Sequence, residues 1–320
     1  MTRRLVLLAM VGLLVAFASR SSAQDYPTRP VRIIVPFPPG AINDTIGRLL
    51  AAQLTERFGK QFVVENKPGA GGVVGTEVAA NAPKDGYTLL IVSTPYTLAP
   101  TLYKLSYDPH TAFTPIAFVL SAPNVIVVHP SVAKSLKELI DVAKQKPGEI
   151  QYGSGGVGSF MHLGGELFKL SAGVDLLHVP YKGGGPALTS LIGGHVGVAF
   201  ATTVTAPPHV RAGKARALAV ASKNRHPLFP EVPTTEEAGL PGYEVANWVG
   251  VVAPAGTPPA IITKLHEAIT ALQDSPEMQR QVAAQGAEIV KKSPDQFGVF
   301  IRDEIDKWAR VIKAGNIKAE

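Results

Sequence analysis

The sequence predicts an α/β protein in which two domains enclose a hinged cleft. Runs rich in β-branched residues alternate with helix-like stretches along the chain, which favours a parallel α/β architecture. About 300 residues follow an N-terminal leader, a length that suits two domains of ordinary size. Loops that contain glycine repeatedly join a strand to a helix, and they do so in both halves of the chain.

Residues 1–23 are predicted to be a cleavable signal peptide that lies outside the fold. The leader begins with two arginines, continues with an apolar run over residues 5–17, and offers Ser21 and Ala23 as the small residues of a cleavage site. The apolar run is shorter than the roughly 18 residues that a membrane-spanning helix needs. We therefore expect a mature protein that is exported through a secretory pathway.

The composition excludes several classes of function. The chain has no cysteine, which excludes a lipidated cysteine, disulfide bonds and thiolate chemistry. The net charge of the whole chain is +6, but removal of the leader leaves 28 basic against 25 acidic residues. These basic residues are scattered rather than clustered with aromatic ones, so we expect no nucleic-acid partner.

The first half of the mature chain begins with a strand, a loop rich in proline and glycine, and a helix. The strand at residues 31–35 stops at Pro36, and Asn43 or Asp44 is predicted to cap the helix. Further strands are predicted at residues 62–65, 87–92, 117–120 and 125–128. Helices are predicted to end near Ala82 and to span residues 133–146.

The second half repeats this alternation. Ser293, with Gln296 three residues later, predicts a capping box for a last long helix that ends at Gly315. Strands are predicted at residues 149–152, 176–179, 196–200 and 215–221, with a strand pair at 244–252. The other helices are predicted at residues 161–170, 187–192, 260–273 and 276–285.

The middle of the chain is predicted to be a domain inserted into another one. Residues 124–221 contain enough elements for a complete α/β block, whereas the preceding block has too few strands to close a sheet alone. We therefore expect a discontinuous first domain, residues 24–123 and 222–320, and a second domain, residues 124–221. Two strands that cross between the domains would act as a hinge.

Three strand-to-helix loops are the candidate binding elements. A helix N-terminus presents free N–H groups and a partial positive charge, so such a loop would bind a carboxylate without an ion pair. Hydroxyl groups beside the loops could add hydrogen bonds. The loops are residues 36–44, 153–159 and 181–186, and the hydroxyl groups are those of Thr94, Ser154 and Ser159.

Other chemistries match the pattern less well. The glycines of residues 153–158 have the spacing of a dinucleotide-binding loop, but the next strand does not end in the acidic residue that holds the ribose. Neither serine of that loop lies in a nucleophile elbow. His162 and Glu166 share a helix face but lack a nearby third metal ligand. We therefore expect no cofactor and no metal site.

Several ordered motifs resemble the Bug-type solute receptors, the periplasmic binding components of tripartite tricarboxylate transporters. The motifs cover nearly all of the mature chain, and they include YPTRPVRIIVPFPPGAIND, VVENKPGAGGVVGTEVAA, YGSGGVGSFMHLGGELF and HVPYKGGGPALTSLIGG. The resemblance implies a fold like that of type II periplasmic binding proteins, with two α/β domains around a hinged cleft. It also implies a small organic acid as ligand and inner-membrane permease subunits as partners, and we expect a monomer.

Matched position by position, the resemblance implies ligand-binding residues in all three loops. They are Phe37, Pro39, Gly40 and Asp44 in the first loop, Ser154, Gly158, Ser159 and His162 in the second, and Tyr181 and Lys182 in the third.

Two positions depart from the family pattern. Ala41 stands where a second glycine is usual, which would alter the backbone contact there. Ala201 stands where an acidic residue is common, and its absence would remove a partner for a ligand amine. We therefore expect a plain or aromatic carboxylic acid rather than an amino acid.

The sequence thus predicts a receptor without catalytic residues that captures a dicarboxylate, a tricarboxylate or an aromatic acid. A ligand that bridges both lobes would stabilise the closed form and shift the population toward it. Two alternatives stay open. One is an exported α/β hydrolase that uses Ser154 or Ser159, and the other is a receptor that signals to a membrane sensor.

Overall fold

A computed structural model describes residues 26–318 and shows ten strands, ten α-helices and one short 3-10 helix (Ala70–Gly72) in that part of the chain. The strands are β1 (Val31–Val35), β2 (Phe62–Asn66), β3 (Thr88–Ser93), β4 (Phe113–Val128), β5 (Gln151–Ser154), β6 (Leu177–Pro180), β7 (Val198–Thr202), β8 (Arg216–Val220), β9 (Ala246–Pro254) and β10 (Glu288–Ile289). The helices are α1 (Ile42–Phe58), α2 (Val73–Ala80), α3 (Thr94–Leu102), α4 (Leu136–Gln145), α5 (Phe160–Ala172), α6 (Gly184–Ile192), α7 (Pro207–Arg211), α8 (Pro259–Gln273), α9 (Pro276–Ala284) and α10 (Pro294–Ala314). The predicted signal peptide lies outside the described residues.

One sheet runs through two lobes that repeat the same strand order. The first lobe has the order β2-β1-β3-β9-β4, in which β1 is parallel to β2 and β3, and β9 is antiparallel to β3 and β4. The second lobe has the order β6-β5-β7-β4-β8, in which β5 is parallel to β6 and β7, and β4 is antiparallel to β7 and β8. The two lobes are therefore topological copies of each other, and the α/β fold of two lobes is confirmed.

Strand β4 joins the lobes. Its 16 residues pair with β9 as far as Pro123 and with β7 and β8 from the next residues onward. The sequence predicts two separate strands here, with a break at residues 121–123, and this is wrong. Pro123 lacks an N–H group, but its carbonyl accepts a hydrogen bond from the Thr203 N–H (3.2 Å), so the strand continues through it.

The cores of both lobes include residues from the end of the chain. On α10, Phe297 and Ile301 pack in one core with Trp248 of the first lobe. Further along the same helix, Trp308 packs in another core with Tyr152 of the second lobe. Residues 222–245 also contribute to that second core, in which Tyr243 and Val245 pack with Phe168 and Phe200. The division of the chain into domains at residues 123 and 221 stays a prediction.

Local signals at the helix ends are partly confirmed. The capping box is present, because Ser293 Oγ accepts from the Gln296 N–H (3.2 Å) and Gln296 Oε1 accepts from the Ser293 N–H (3.0 Å). The predicted N-cap of α1 is wrong. Ala41 occupies that position without a side-chain hydrogen bond, and Asp44 lies three residues further along, inside the first turn.

Two other expectations about elements are wrong or incomplete. The predicted strand pair at residues 244–252 is the single strand β9. Helix α3 was not predicted, because Pro95 and Pro100 interrupt its sequence. Pro95 lies in the first turn of the helix, where the missing N–H group would have no intrahelical partner.

The substitution Phe297→Ala tests the core that α10 forms with the first lobe. Phe297 is fully buried and its ring contacts those of Phe118 and Trp248. We expect the free energy of unfolding to fall by about 3–5 kcal/mol, because the change removes buried surface and leaves a cavity. Val299→Ala, at an exposed position of the same helix, is the matched control and should change it by less than about 0.5 kcal/mol. Urea denaturation followed by circular dichroism measures the free energy of unfolding of both variants. Equal losses would contradict the assignment of Phe297 to the core of the first lobe.

Candidate functional site

The parallel strands of each lobe have their carboxyl ends along one edge of the sheet. In both lobes this edge lies where β4 crosses between the lobes. Ser93, the last residue of β3, pairs with Val249, which in turn pairs with Leu120 of β4. Thr202, the last residue of β7, pairs with Asn124. Since β1 and β5 are parallel to these strands, the loops that follow them also lie at this edge, one in each lobe. We call residues 36–41 the first turn and residues 155–159 the second turn.

The first turn is held by the side chain of Asp44. Asp44 Oδ2 accepts hydrogen bonds from the Gly40 N–H (2.9 Å) and from Arg48 Nε (3.0 Å). Its other oxygen, Oδ1, accepts from Asn66 Nδ2 (2.8 Å), which also donates to the carbonyl oxygen of Phe37 (3.0 Å). Gly40 has a φ of +87°, a conformation that favours glycine. Asp44 therefore ties the turn to α1 and to β2.

The charge of Asp44 is already paired. Burial opposes ionisation of this carboxyl group, but hydrogen bonds from Arg48, the Gly40 N–H and Asn66 outweigh burial and hold its pKa below the usual range. Arg48 Nη2 lies 3.0 Å from Asp44 Oδ1 and completes an ion pair within the helix. Asp44 thus positions the turn and offers no free charge to a ligand.

The second turn is held by His162 and Ser159. Ser159 is the N-cap of α5, and its Oγ accepts from the His162 N–H (3.3 Å). The Gly158 N–H donates to His162 Nδ1 (3.0 Å), and Gly158 has a φ of +73°. His162 is buried and Gly158 is half-buried, so this hydrogen bond is partly shielded from water.

Three stacked rings lie beneath the second turn. The ring of His178 on β6 stacks on that of His162 (centroids 4.0 Å apart) and on that of Tyr152 (4.9 Å). Ser154 Oγ lies 2.6 Å from His178 Nε2 and accepts from the Gly156 N–H (3.1 Å). The hydroxyl group of Ser154 therefore connects the turn to the rings.

Both histidines of the stack are neutral at neutral pH. Burial lowers the pKa of His178 to about 4, and the neighbouring His162 contributes in the same direction. Burial also lowers the pKa of His162, although Glu166 opposes that shift. The second turn thus carries no positively charged ring that could pair with an anion.

The remaining predicted site residues have different surroundings. Thr94 Oγ1 donates to the carbonyl oxygen of Ala246 (3.2 Å), so it bridges α3 to the start of β9. The hydroxyl groups of Tyr181 and Ser190 lie 2.5 Å apart. Lys182 and Pro39 are exposed, and Phe37 is half-buried.

Ala201 does not lie at the surface of the site. It is fully buried in a core that includes Val125 and Met161. Successive side chains on a strand point to opposite faces, and the neighbouring Thr202 is partly exposed. The structure therefore does not bring Ala201 together with the two turns, and its placement gives no support to a contact with a ligand.

The groups left for a ligand are backbone N–H groups. Within residues 26–318, the N–H groups of Ala41, Ile42 and Asn43 at the first turn have no acceptor, and neither do those of Phe160 and Met161 at the second. They are the first N–H groups of α1 and α5, which have no intrahelical partner. A carboxylate suits such donors, because the helix dipole favours negative charge at the same place.

The pair of Ser154 and His178 also bears on hydrolysis. A serine within hydrogen-bond reach of a histidine is one part of an activated nucleophile, and an acid that orients the histidine is the other. In the described part of the chain, His178 has no hydrogen bond to an acidic side chain, and Ser154 has no exposed surface. The described residues also contain no group of three or more His, Asp or Glu side chains that could hold a metal ion.

Sequence reasoning missed Arg48, Asn66 and His178. Arg48 lies four residues after Asp44, a spacing that pairs charges on a helix, so a signal was present. Asn66 and His178 come from β2 and β6, and their contacts depend on the order of the strands in the sheet.

No helix among residues 26–318 is long and apolar enough to cross a bilayer.

Comparisons with known proteins agree with this architecture. The family model described as "Tripartite tricarboxylate transporter family receptor" matches residues 46–317. Protein BugT of Bordetella pertussis is 40% identical over 319 residues, which cover 98% of each chain.

Two solved structures are similar over nearly their whole length. The R. palustris protein Rpa4515, solved with adipate, is 38% identical with a TM-score of 0.71, and the match covers 92% of this chain and 99% of that one. A TctC solute-binding protein from Polaromonas, solved with no ligand, is 28% identical with a TM-score of 0.83, and the match covers 90% and 99%. Family model, relatives and fold agree, so the chain belongs to the family of tripartite tricarboxylate transporter receptors.

Proposed function

We propose that the protein is a periplasmic receptor that binds a small organic carboxylate between its two lobes, closes on it as a monomer and delivers it to a tripartite-type permease. The ligand class is supported by the relative solved with adipate, a dicarboxylate. Delivery to a permease is supported by the family to which the chain belongs.

The observation that carries the proposal is the pair of equivalent turns. Each lobe places unpaired N–H groups of a helix N-terminus at the edge where the lobes meet. A carboxylate that contacts both turns stabilises an arrangement in which they are close together. Binding therefore favours the closed form by as much as the ligand's affinity differs between the two forms.

The comparisons also support a change in lobe orientation. The ligand-free Polaromonas structure aligns better than the adipate-bound one, with TM-scores of 0.83 and 0.71, although it is less identical in sequence, 28% against 38%. If sequence divergence alone determined the TM-score, the adipate-bound structure would have the higher one. This order is what a difference in lobe orientation between free and bound receptors of the family would produce.

The geometry favours a receptor over a hydrolase. The hydroxyl group of Ser154 is buried and is engaged with His178 and with the Gly156 N–H. Its contacts hold the second turn in shape, and it has no open face toward a substrate.

The ligand is an acid without an amine. An ammonium group needs an acidic partner when it is removed from water. Asp44 is the single acidic residue of the three candidate loops, and it is paired with Arg48.

A thermal-shift screen tests the proposed function. We expect adipate to raise the melting temperature of the mature protein, because a ligand that binds the folded state alone stabilises it by mass action. Glutamate and aspartate should leave it unchanged, and proton NMR of the mixtures should show no product. A shift with the amino acids and with none of adipate, malate, citrate and benzoate would contradict the ligand class, and turnover of a bound acid would contradict the receptor.

The substitution Asp44→Ala tests the role of the first turn. The Gly40 N–H, Arg48 and Asn66 would lose an acceptor, so we expect the free energy of unfolding to fall by about 1–3 kcal/mol. Affinity for adipate should fall as well, because the unpaired N–H groups lose their fixed positions. Asp141→Ala, which removes an exposed i,i+4 partner of Lys137, is the matched control for loss of a carboxylate. Calorimetry and urea denaturation measure both, and unchanged adipate binding in Asp44→Ala would show that the turn does not contact the ligand.

A further inference from the structure

The two turns are held by the same hydrogen bond in the two lobes. In each case the third residue of the helix, Asp44 in α1 and His162 in α5, lies three positions after the N-cap residue. Its side chain accepts the N–H of the glycine that precedes the N-cap, Gly40 in the first turn and Gly158 in the second. Both glycines have positive φ angles, so the two turns also agree in backbone conformation.

The two acceptors differ in their chemistry. A backbone N–H can only donate, so Asp44 must offer an oxygen and His162 must offer an unprotonated Nδ1. Asp44 keeps its acceptor whenever it is ionised, and its pKa is held below the usual range. An imidazolium ring donates from both nitrogens, so a protonated His162 has no acceptor for the Gly158 N–H.

The surroundings of His162 contain few groups that could replace this hydrogen bond. His178 on β6 stacks on one side, and Tyr152 on β5 lies beyond it. On α5 itself, Glu166 Oε1 lies 4.0 Å from His162 Nε2 and is already bonded to the Tyr152 hydroxyl group (2.6 Å) and to Lys169 Nζ (3.2 Å). Helix α10 approaches Glu166 through Gly315, which has no side chain to titrate.

We propose that His162 is a positioning residue whose unprotonated Nδ1 holds the second turn in its anion-binding shape, and that protonation of His162 releases this turn while the first turn stays in place. The proposal rests on the proposed function, since it states how binding at that site responds to pH. It makes the second lobe the acid-sensitive partner and the first lobe the insensitive one.

The direction of the pH effect follows from the neutral ring. Burial lowers the pKa of His162 from the ordinary histidine value of 6.5. The hydrogen bond is therefore complete above about pH 6.5 and is lost as the pH falls through the lowered pKa. Protonation also places a charge against the ring of His178, which is 4.0 Å away and cannot stabilise it.

Nitrogen-15 NMR of the ligand-free protein tests the hydrogen bond directly. At pH 7.5 we expect His162 to carry its proton on Nε2, with a scalar coupling across the hydrogen bond between the Gly158 nitrogen and His162 Nδ1. On titration through the pKa of His162 the coupling should vanish, and the Gly158 N–H resonance should shift with the same midpoint as the ring. The Gly40 N–H resonance is the internal control and should not follow that midpoint. A proton on Nδ1 at pH 7.5, or a Gly158 resonance that ignores the titration of His162, would overturn the proposal.

Two variants separate the acceptor from the ring. His162→Asn places Oδ1 where Nδ1 was, because both atoms are bonded to Cγ, and it removes the titration. His162→Gln moves the acceptor one bond further out. We expect the Gly158 N–H resonance of His162→Asn to be independent of pH, and that of His162→Gln to resemble the acidic wild-type form at every pH. If the Asn variant keeps the wild-type titration of Gly158, another group causes it and the proposal fails.

Calorimetry with adipate links the turn to binding. Between pH 7.5 and one unit below the midpoint of the NMR titration, we expect the affinity of the wild type to fall at least fivefold more than that of His162→Asn, a ratio that cancels the protonation of adipate itself. Equal falls would show that the second turn does not limit binding. If adipate does not bind the wild type at pH 7.5, the proposed ligand class fails for this acid, and the NMR titration still decides the role of His162.

Discussion

The arrangement of the two lobes depends on the backbone hydrogen bonds at Asn124, the first residue of β4 beyond the crossing. Its N–H donates to the Val245 carbonyl (2.8 Å), and its carbonyl accepts from the Ala221 N–H (2.8 Å). Its side-chain Nδ2 donates to the Phe200 carbonyl (3.1 Å) in the second lobe. Asn124 has no exposed surface, so water cannot replace these partners. Motion of the lobes must therefore occur around a strand that stays intact.

The repeated strand order explains why the site is made of backbone groups. Strands β1 and β5, each parallel to its neighbours within its own lobe, both end where the lobes meet, and each is followed directly by a helix. The polar side chains nearby, among them Asp44, Ser154 and His162, are used to shape the turns. Such a site contributes neutral donors at fixed positions, and the identity of the ligand depends on the distance between the turns and on what lies between them.

Local patterns in the sequence predict the parts of the fold that are local in origin. The strand, loop and helix around Pro36 follow from β-branched residues, a proline and helical spacing, and the capping box at Ser293 follows from two side chains three residues apart. The contact of Ser154 with His178 could not be predicted in this way, because it requires that β5 and β6 be neighbours in register.

The C-terminal end of the chain has a consequence for the order of folding. Ile312 and Ile317 complete the core that contains Tyr152 and Phe168, residues that precede them by more than 140 positions in the chain. The core of the second lobe is therefore complete only when the C-terminal end of the chain has packed into it. Folding of that lobe thus depends on the whole chain rather than on its middle segment alone.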